Sequence, residues 1–369
     1  MKRIKPKVPP TPIVKVIMRF LNFLRKIERK LYPPQALLID LTVEDLVINR
    51  GLFIAAELGI ADILKSGPKS IDEIIKETGA KLDSDSFYRI MRALASFGIF
   101  REKKGKVFET NAVSRHLEIE HEQSVLDFVR WVGSKWVFNL WVDIMNSVKN
   151  GKSYFNNNFE VDYFKWLEDK PDEQIVFNDT LIEFSVLSSG AVTAGYKFNS
   201  FDTIVDVAGG MGGQLISILN ANPKLKGVLF ELPLTVEMVK NDKVFDNAGL
   251  ADRMDLIAGD FFESVPEGYD AYFMKSIIHD WKDAEAIKIL TSCQKAMRKD
   301  SKLLLAELVI PEPNVRHFSY ASNVCMLVLN EGRERTREDY SLLFKEAGLK
   351  LNRVLVTASP FSIVEAVKA

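Results

Sequence analysis

The sequence predicts an α/β protein: a mostly parallel, Rossmann-like doubly wound sheet whose last strand is antiparallel, preceded by a helical, winged-helix-like domain. Three observations predict it. After Phe201, short apolar runs alternate with helix-patterned stretches, the sign of a parallel sheet with helices on both faces. Asp206-Val-Ala-Gly-Gly-Met-Gly-Gly213 stands between the first of these runs and its helix, where such sheets meet a nucleotide-like ligand. Residues 36–120 read as short helices closed by a hairpin. With 369 residues, 47% hydrophobic and 27% charged, the chain has material for two or three domains and is neither disordered nor fibrous.

The first 35 residues form a basic extension, with ten basic residues and one acidic. Pro6, Pro9, Pro10 and Pro12 open it, and Ile13, Ile17, Phe20, Leu24, Ile27 and Leu31 then share one face of a helix that Pro33 and Pro34 stop. The basic opposite face suits weak contact by residues 1–32 with an anionic membrane surface; packing on a partner subunit is the plainer use of an amphipathic helix. Lys15, Arg19, Arg25, Lys26, Arg29 and Lys30 interrupt the apolar stretch, so neither a secretory signal nor a spanning segment is expected.

Residues 36–123 carry Leu46, Leu52, Ala55, Leu58 and Ile63 at helical spacing, then a capping box, Ser70-Ile-Asp-Glu73. A helix with Phe87, Ile90, Met91, Leu94 and Phe97 should end at Gly98, before a hairpin turning at 103–106. Arg89 and Arg92 are the basic groups on that helix, but Asp83 and Asp85 at its start would face phosphate. Formal net charge is -1. Dimerisation is therefore expected of this domain, and no nucleic-acid partner.

Residues 124–195 are helical and aromatic: thirteen of the sixty-two residues from Val125 to Val186 are Phe, Trp or Tyr, about twice the whole-chain 10%. Most such rings serve packing. The cluster also suits a flat apolar ligand, with Trp131, Trp136, Phe177, Leu181 and Phe184 as candidate substrate contacts.

In the last domain, 196–369, strands are expected at 203–207, 227–232, 255–258, 271–275, 303–309, 354–358 and 362–366, and helices at 214–220, 283–297 and 338–347. Asp206, Gly209, Gly210 and Gly212 form the loop where a cofactor approaches. Glu231, with Leu232 beside it, ends the second strand, where a carboxylate accepts from ribose hydroxyls. These features alone do not separate a dinucleotide from S-adenosylmethionine. Asp260, Phe261 and Phe262 at the third strand end suit an adenine, the carboxylate for its amine and a ring for its face. Lys275 follows the fourth strand and either meets the cofactor's carboxylate or pairs with Asp280; Trp281 either walls the cofactor or packs the next helix. His279 lies beside whatever reacts.

The glycine loop, Glu231-Leu-Pro233, Gly259-Asp-Phe-Phe262, His279-Asp-Trp281 and Gly332-Arg-Glu-Arg-Thr336 together resemble the S-adenosylmethionine-dependent O-methyltransferases typified by caffeic acid and hydroxyindole (acetylserotonin) O-methyltransferases. The resemblance runs from about Pro33 to Val367. It implies a class I methyltransferase domain, an N-terminal dimerisation domain, a homodimer, S-adenosyl-L-methionine as cofactor and S-adenosyl-L-homocysteine as product. It also implies His279 as general base, with Glu307 and Glu334 orienting or polarising it. Ala208 stands where that family often has glycine, and Glu231 where it often has aspartate. The chemistry is coherent: a phenol with a pKa near 10 is a poor nucleophile at neutral pH, and an imidazole is a suitable base.

No metal is expected. Cys293 and Cys325 have no ligand spacing, which also points to a reducing, cytoplasmic compartment. The leading expectation is transfer of a methyl group to a hydroxyl of an aromatic small molecule. The alternatives are a homologue that keeps the cofactor without methyl transfer, as a sensor, hydroxylase or decarboxylase, and a dinucleotide oxidoreductase. The last gives no account of the residues after the fourth strand.

Overall fold

The computed structural model describes residues 8–369, apart from the side chain of Arg29. Residues 1–7, with Pro6 of the proline-rich opening, lie outside the described residues. The chain forms two compact units. One comprises Leu21–Asp143 with Phe164–Leu187; the other comprises Ile144–Tyr163 and Ser188–Ala369, with residues 8–20. The aromatic stretch 124–195 is thus divided between them.

In the helical unit, the helices Pro34–Glu57, Ile71–Thr78 and Ser84–Ser96 pack with a small sheet of β1 (Lys69–Ser70), β2 (Arg101–Lys103) and β3 (Val107–Glu109). The sheet order is β1-β3-β2, antiparallel throughout, the expected hairpin plus one short strand. Ser70 and Glu73 close the expected capping box, which removes two unpaired N–H groups from the helix start. Ile74, Phe87, Met91, Leu94, Phe100 and Phe108 form the core. Arg89 is paired with Asp85 at 2.8 Å.

Helix Thr11–Leu31 carries its apolar face exposed: Ile13, Ile17, Phe20, Leu24, Ile27 and Leu31. The next helix also exposes Leu38, Ile39, Val43 and Val47. Against the expectation that no segment qualifies, helix Pro171–Ala194 is long and apolar enough to cross a membrane. Its Glu183 instead accepts hydrogen bonds from the N–H groups of Asp127 and Phe128 at 3.1 and 2.8 Å, capping a neighbouring helix within the helical unit.

The other unit is built on a seven-stranded sheet: β4 (Thr203–Val207), β5 (Lys226–Glu231), β6 (Met254–Ala258), β7 (Ala271–Lys275), β8 (Lys302–Glu307), β9 (Leu349–Val356) and β10 (Ser362–Lys368). The order is β6-β5-β4-β7-β8-β10-β9. The first five are parallel, and β10 runs antiparallel to both neighbours. Alternation along the strands feeds two cores: Val205, Val228, Phe230, Tyr272, Met274 and Leu305 face one way, and Ile204, Leu229, Phe273, Leu304 and Ile363 the other. Chain order reverses between β4 and β7, so their carboxyl ends open the crevice where such sheets bind ligands.

Candidate active site

The residues at this edge form an open cleft of about 250 Å³ lined by Ala208, Phe230, Glu231, Leu232, Gly259, Asp260, Phe261, Phe262 and Trp281. Its mostly apolar lining, with the Glu231 and Asp260 carboxylates, suits part of a small ligand held by a few fixed polar contacts. Phe262 stands edge-on to Trp281, with ring centroids 4.8 Å apart, and Phe261 lies 4.9 Å from Phe262. Asp260 Oδ1 accepts from the Phe262 N–H at 2.8 Å, which turns the carboxylate and fixes the ring that follows it. A Cβ added at Gly259 would lie 2.5 Å from the Phe230 ring, so a larger residue there would displace that wall of the cleft.

Glu231 caps two backbone groups. Its Oε1 accepts from Gly210 N at 3.0 Å and its Oε2 from Leu232 N at 2.7 Å. Each oxygen keeps a lone pair for a diol, and the bond to Gly210 ties the carboxylate to the glycine loop. Ala208 adopts φ 58°, a left-handed conformation that costs an L-residue about 1 kcal/mol or more and that glycine adopts freely. The departure from glycine therefore lies in backbone strain. Gly209, Gly210 and Gly212 continue this loop into helix Gly213–Ala221.

Asp206 is buried and its Oδ2 has no hydrogen-bond partner. Burial pushes its carboxyl up, with Lys275 opposing and Glu231 adding to the rise. Burial likewise drives the Lys275 ammonium down, and Asp206 partly restores it. Lys275 lies over the Phe361 ring at 5.4 Å. Neither Asp206 nor Lys275 lines the aromatic cleft. Both are desolvated and electrostatically coupled, each shifted toward its uncharged form, a setting in which a zwitterionic ligand would restore their charges.

Beyond β7, residues Ile278–Asp280 form a short 3₁₀ turn that carries His279. Its Nδ1 lies 2.9 Å from Glu334 Oε1, and that oxygen also accepts from Ser322 Oγ at 2.6 Å. Glu307, the last residue of β8, accepts from Ile277 N and Ile278 N at 3.2 and 3.0 Å. The two glutamates thus act differently: Glu334 holds the ring, whereas Glu307 holds the backbone before it. Among the described residues, the nearest acidic atom to His279 Nε2 is Asp280 Oδ1 at 3.6 Å, too long for a hydrogen bond. The His279 side chain is 13% exposed and that of Glu334 fully buried.

Burial disfavours the imidazolium, but Asp280, Glu334 and Glu307 together outweigh it and push His279 up to about 10. Burial raises Glu307 to about 7, against the pull of the imidazolium. His279, Glu307 and Glu334 present ligand-type atoms within 4.8 Å of one another. The Oε1 atoms of both glutamates already accept hydrogen bonds from the ring, Ser322 and the 277–278 backbone.

The candidate substrate contacts lie in the helical unit. Trp131 packs with Trp136 and Phe177 at centroid distances of 6.2 and 5.8 Å, and Phe184 meets Phe128 edge-on at 5.1 Å. Trp136 donates its indole N–H to Glu173, while the Trp131 N–H is buried without a hydrogen-bond partner. Leu181 is half exposed. Sequence reasoning missed Phe230 as a cleft wall, Ser322 as a second donor to Glu334, and a role for Arg335, which is fully buried. Only the Phe230–Gly259 packing had a local signal, a strand-end glycine beside an aromatic strand.

Residues 141–350 match the O-methyltransferase domain family and residues 42–118 the O-methyltransferase dimerisation domain. The chain is 35% identical over 319 residues to the phenazine O-methyltransferase PhzM of Lysobacter antibioticus, covering 86% of this chain and 92% of that one. It is 31% identical to the mitomycin biosynthesis 6-O-methyltransferase of Streptomyces lavendulae, covering 86% and 90%. Among solved structures, the calicheamicin-biosynthesis methyltransferase CalO1, in its SAH-bound form, superposes with a TM-score of 0.82 at 26% identity, covering 91% of this chain and 98% of that one. The strand order, the cleft at its crossover and these matches lead to one assignment: the chain belongs to the S-adenosylmethionine-dependent O-methyltransferase family, with that family's dimerisation domain.

Proposed function

We propose that this chain moves the methyl group of S-adenosylmethionine to a hydroxyl of an aromatic natural product, with His279 as general base. The observation that carries the reading is the His279 Nδ1 to Glu334 bond of 2.9 Å, which leaves Nε2 for an acceptor. When bound, S-adenosylmethionine supplies an electrophilic methyl group on a positive sulfonium. His279 holds its proton more weakly near that positive charge than in the free chain, which brings a group that titrates at about 10 toward the neutral form that a base needs. Nε2 takes the hydroxyl proton as the oxygen bonds to the methyl carbon. Glu334, on Nδ1, stabilises the resulting imidazolium. The products are the methyl ether and S-adenosylhomocysteine.

In the same reading, Glu231 accepts from the ribose hydroxyls, with Leu232 beside it, and Asp260 from the adenine amine. Phe261, Phe262 and Trp281 enclose the purine. Gly209, Gly210 and Gly212 admit the cofactor, and the Asp206–Lys275 pair receives the amino acid end. Trp131, Trp136, Phe177, Leu181 and Phe184 form the acceptor set. The acceptor class is read from the relatives named for phenazine and mitomycin.

The chain works as a homodimer in this reading. The exposed apolar face of helix Thr11–Leu31 covers a second copy rather than a membrane, because the following helix exposes apolar residues of its own as it enters the matched dimerisation segment.

The test is incubation with labelled S-adenosylmethionine and a panel of hydroxylated heteroaromatics, comparing wild type with His279→Ala. Turnover should fall by about 10²-fold or more, with S-adenosylhomocysteine affinity changed by less than about threefold and product mass raised by one methylene. Equal turnover removes His279 from the mechanism. Cofactor binding with no methylated product from any acceptor favours the sensing or divergent homologue.

A further inference from the structure

Arg335 is 0% exposed, and all five of its N–H donors are used. Nη1 donates to Ile278 O at 2.7 Å and Arg333 O at 3.4 Å. Nη2 donates to Trp281 O at 2.7 Å and Asp283 Oδ1 at 2.8 Å, and Nε to the same carboxylate oxygen at 3.1 Å. A guanidinium is the side chain that can span such a set, because its donors fan out in one rigid plane. The two carbonyls flank His279: one belongs to the residue before it, the other to Trp281, two residues after it.

The neighbours of Arg335 hold the rest of the same turn. Arg333 N donates to His279 O at 2.8 Å, and Asn330 Nδ2 donates to Asp280 Oδ1 at 2.8 Å. A Cβ on Gly332 would collide with His279 O, so only glycine lets the two strands of chain approach. The 330–335 segment therefore grips residues 278–281 along their length while Glu334 holds the imidazole.

We infer that Arg335 is a positioning residue that fixes the spacing between His279 and Trp281, so that the proton acceptor and the purine wall keep one geometry. The inference rests on the roles proposed above for those two residues. Asp283 is part of the device: it neutralises the buried guanidinium and anchors it at the start of helix Asp283–Ala296. Loss of the clamp would disturb cofactor affinity and base orientation together, although Arg335 is assigned no contact with either substrate.

The variants are Arg335→Lys, Arg335→Met and Asp283→Asn. Each is scored by S-adenosylhomocysteine affinity in calorimetry, by kcat and KM, and by the His279 NMR titration, which is assignable among four histidines with His279→Gln. Lysine keeps the charge but has three donors on one nitrogen and cannot bridge both carbonyls. Arg335→Lys should weaken S-adenosylhomocysteine about tenfold, lower kcat about 10²-fold with a smaller change in acceptor KM, and shift the His279 titration. Arg335→Met should be worse, and Asp283→Asn milder in the same direction. If the methionine variant does not fold, the lysine and Asp283→Asn variants decide. Folded variants with affinity within twofold and an unmoved His279 titration overturn the clamp. A wild-type chain that binds no S-adenosylhomocysteine overturns the reading of the cleft instead, and the His279 titration then still decides the clamp.

Discussion

His279 illustrates how neighbours set the character of a side chain. Burial alone would leave it neutral, yet Asp280, Glu334 and Glu307 raise it to about 10, above its ordinary 6.5. A group whose folded pKa is raised binds more protons folded than unfolded, so its stabilisation is complete below about pH 6.5 and fades as pH rises through about 10. The stability advantage of wild type over His279→Gln should therefore shrink across that window, by at most about 1.4 kcal/mol per pH unit. Melting both proteins from pH 6 to 10 checks this, and a constant or widening gap contradicts it. The His279–Glu334 pairing spans fifty-five positions, so nothing in local spacing reveals it; the family resemblance supplied the partner. Glu307, expected to orient or polarise the ring, bonds the backbone of Ile277 and Ile278 and acts on the imidazole through its charge.

At the scale of elements, sequence pattern was most legible where strands end in chemistry. The residues after β4, β5, β6 and β7 lie at one edge of the sheet, as the strand pattern implies, because parallel strands deliver their carboxyl ends there. Helices Pro233–Asn241 and Phe318–Leu329 were not expected. The first follows a strand end with Pro233 at its first turn, and the second is apolar without a clear polar face, so periodicity was weak. β9 begins at Leu349 rather than 354, since an edge strand with Lys350, Asn352 and Arg353 resembles a loop. The amphipathic helix Thr11–Leu31 carries its own prediction: deletion of residues 1–32 should weaken self-association in sedimentation by about tenfold or more, consistent with removing several exposed apolar side chains from an interface. Flotation with anionic vesicles should be equal for both forms. Undiminished self-association together with lost flotation would assign the helix to membranes.

For the whole molecule, composition divides the chain into distinct regions. Glycine and acidic residues punctuate the sheet, aromatic residues crowd 125–186, and basic residues collect in the first 35 positions. The division of the aromatic stretch between two compact units was not visible, because chain continuity says nothing about which helix returns to which core. The residues lining the cleft were legible because they fall in short, consecutive motifs. The clamp around His279 was not, because it depends on Asp283, Asn330 and Arg335 meeting across fifty residues.

The claim that a buried imidazole takes the acceptor's proton is tested most directly by single-turnover methyl transfer to a graded series of one aromatic hydroxyl. Ring substituents would vary its pKa, and wild type and His279→Ala would be compared at fixed pH. For acceptors with a pKa near 10 the variant should be slower by about 10²- to 10⁴-fold. The gap should close as the acceptor becomes acidic enough to ionise unaided. A deficit of the same size across the whole series would contradict the account, because the imidazole would then be needed for something other than the proton.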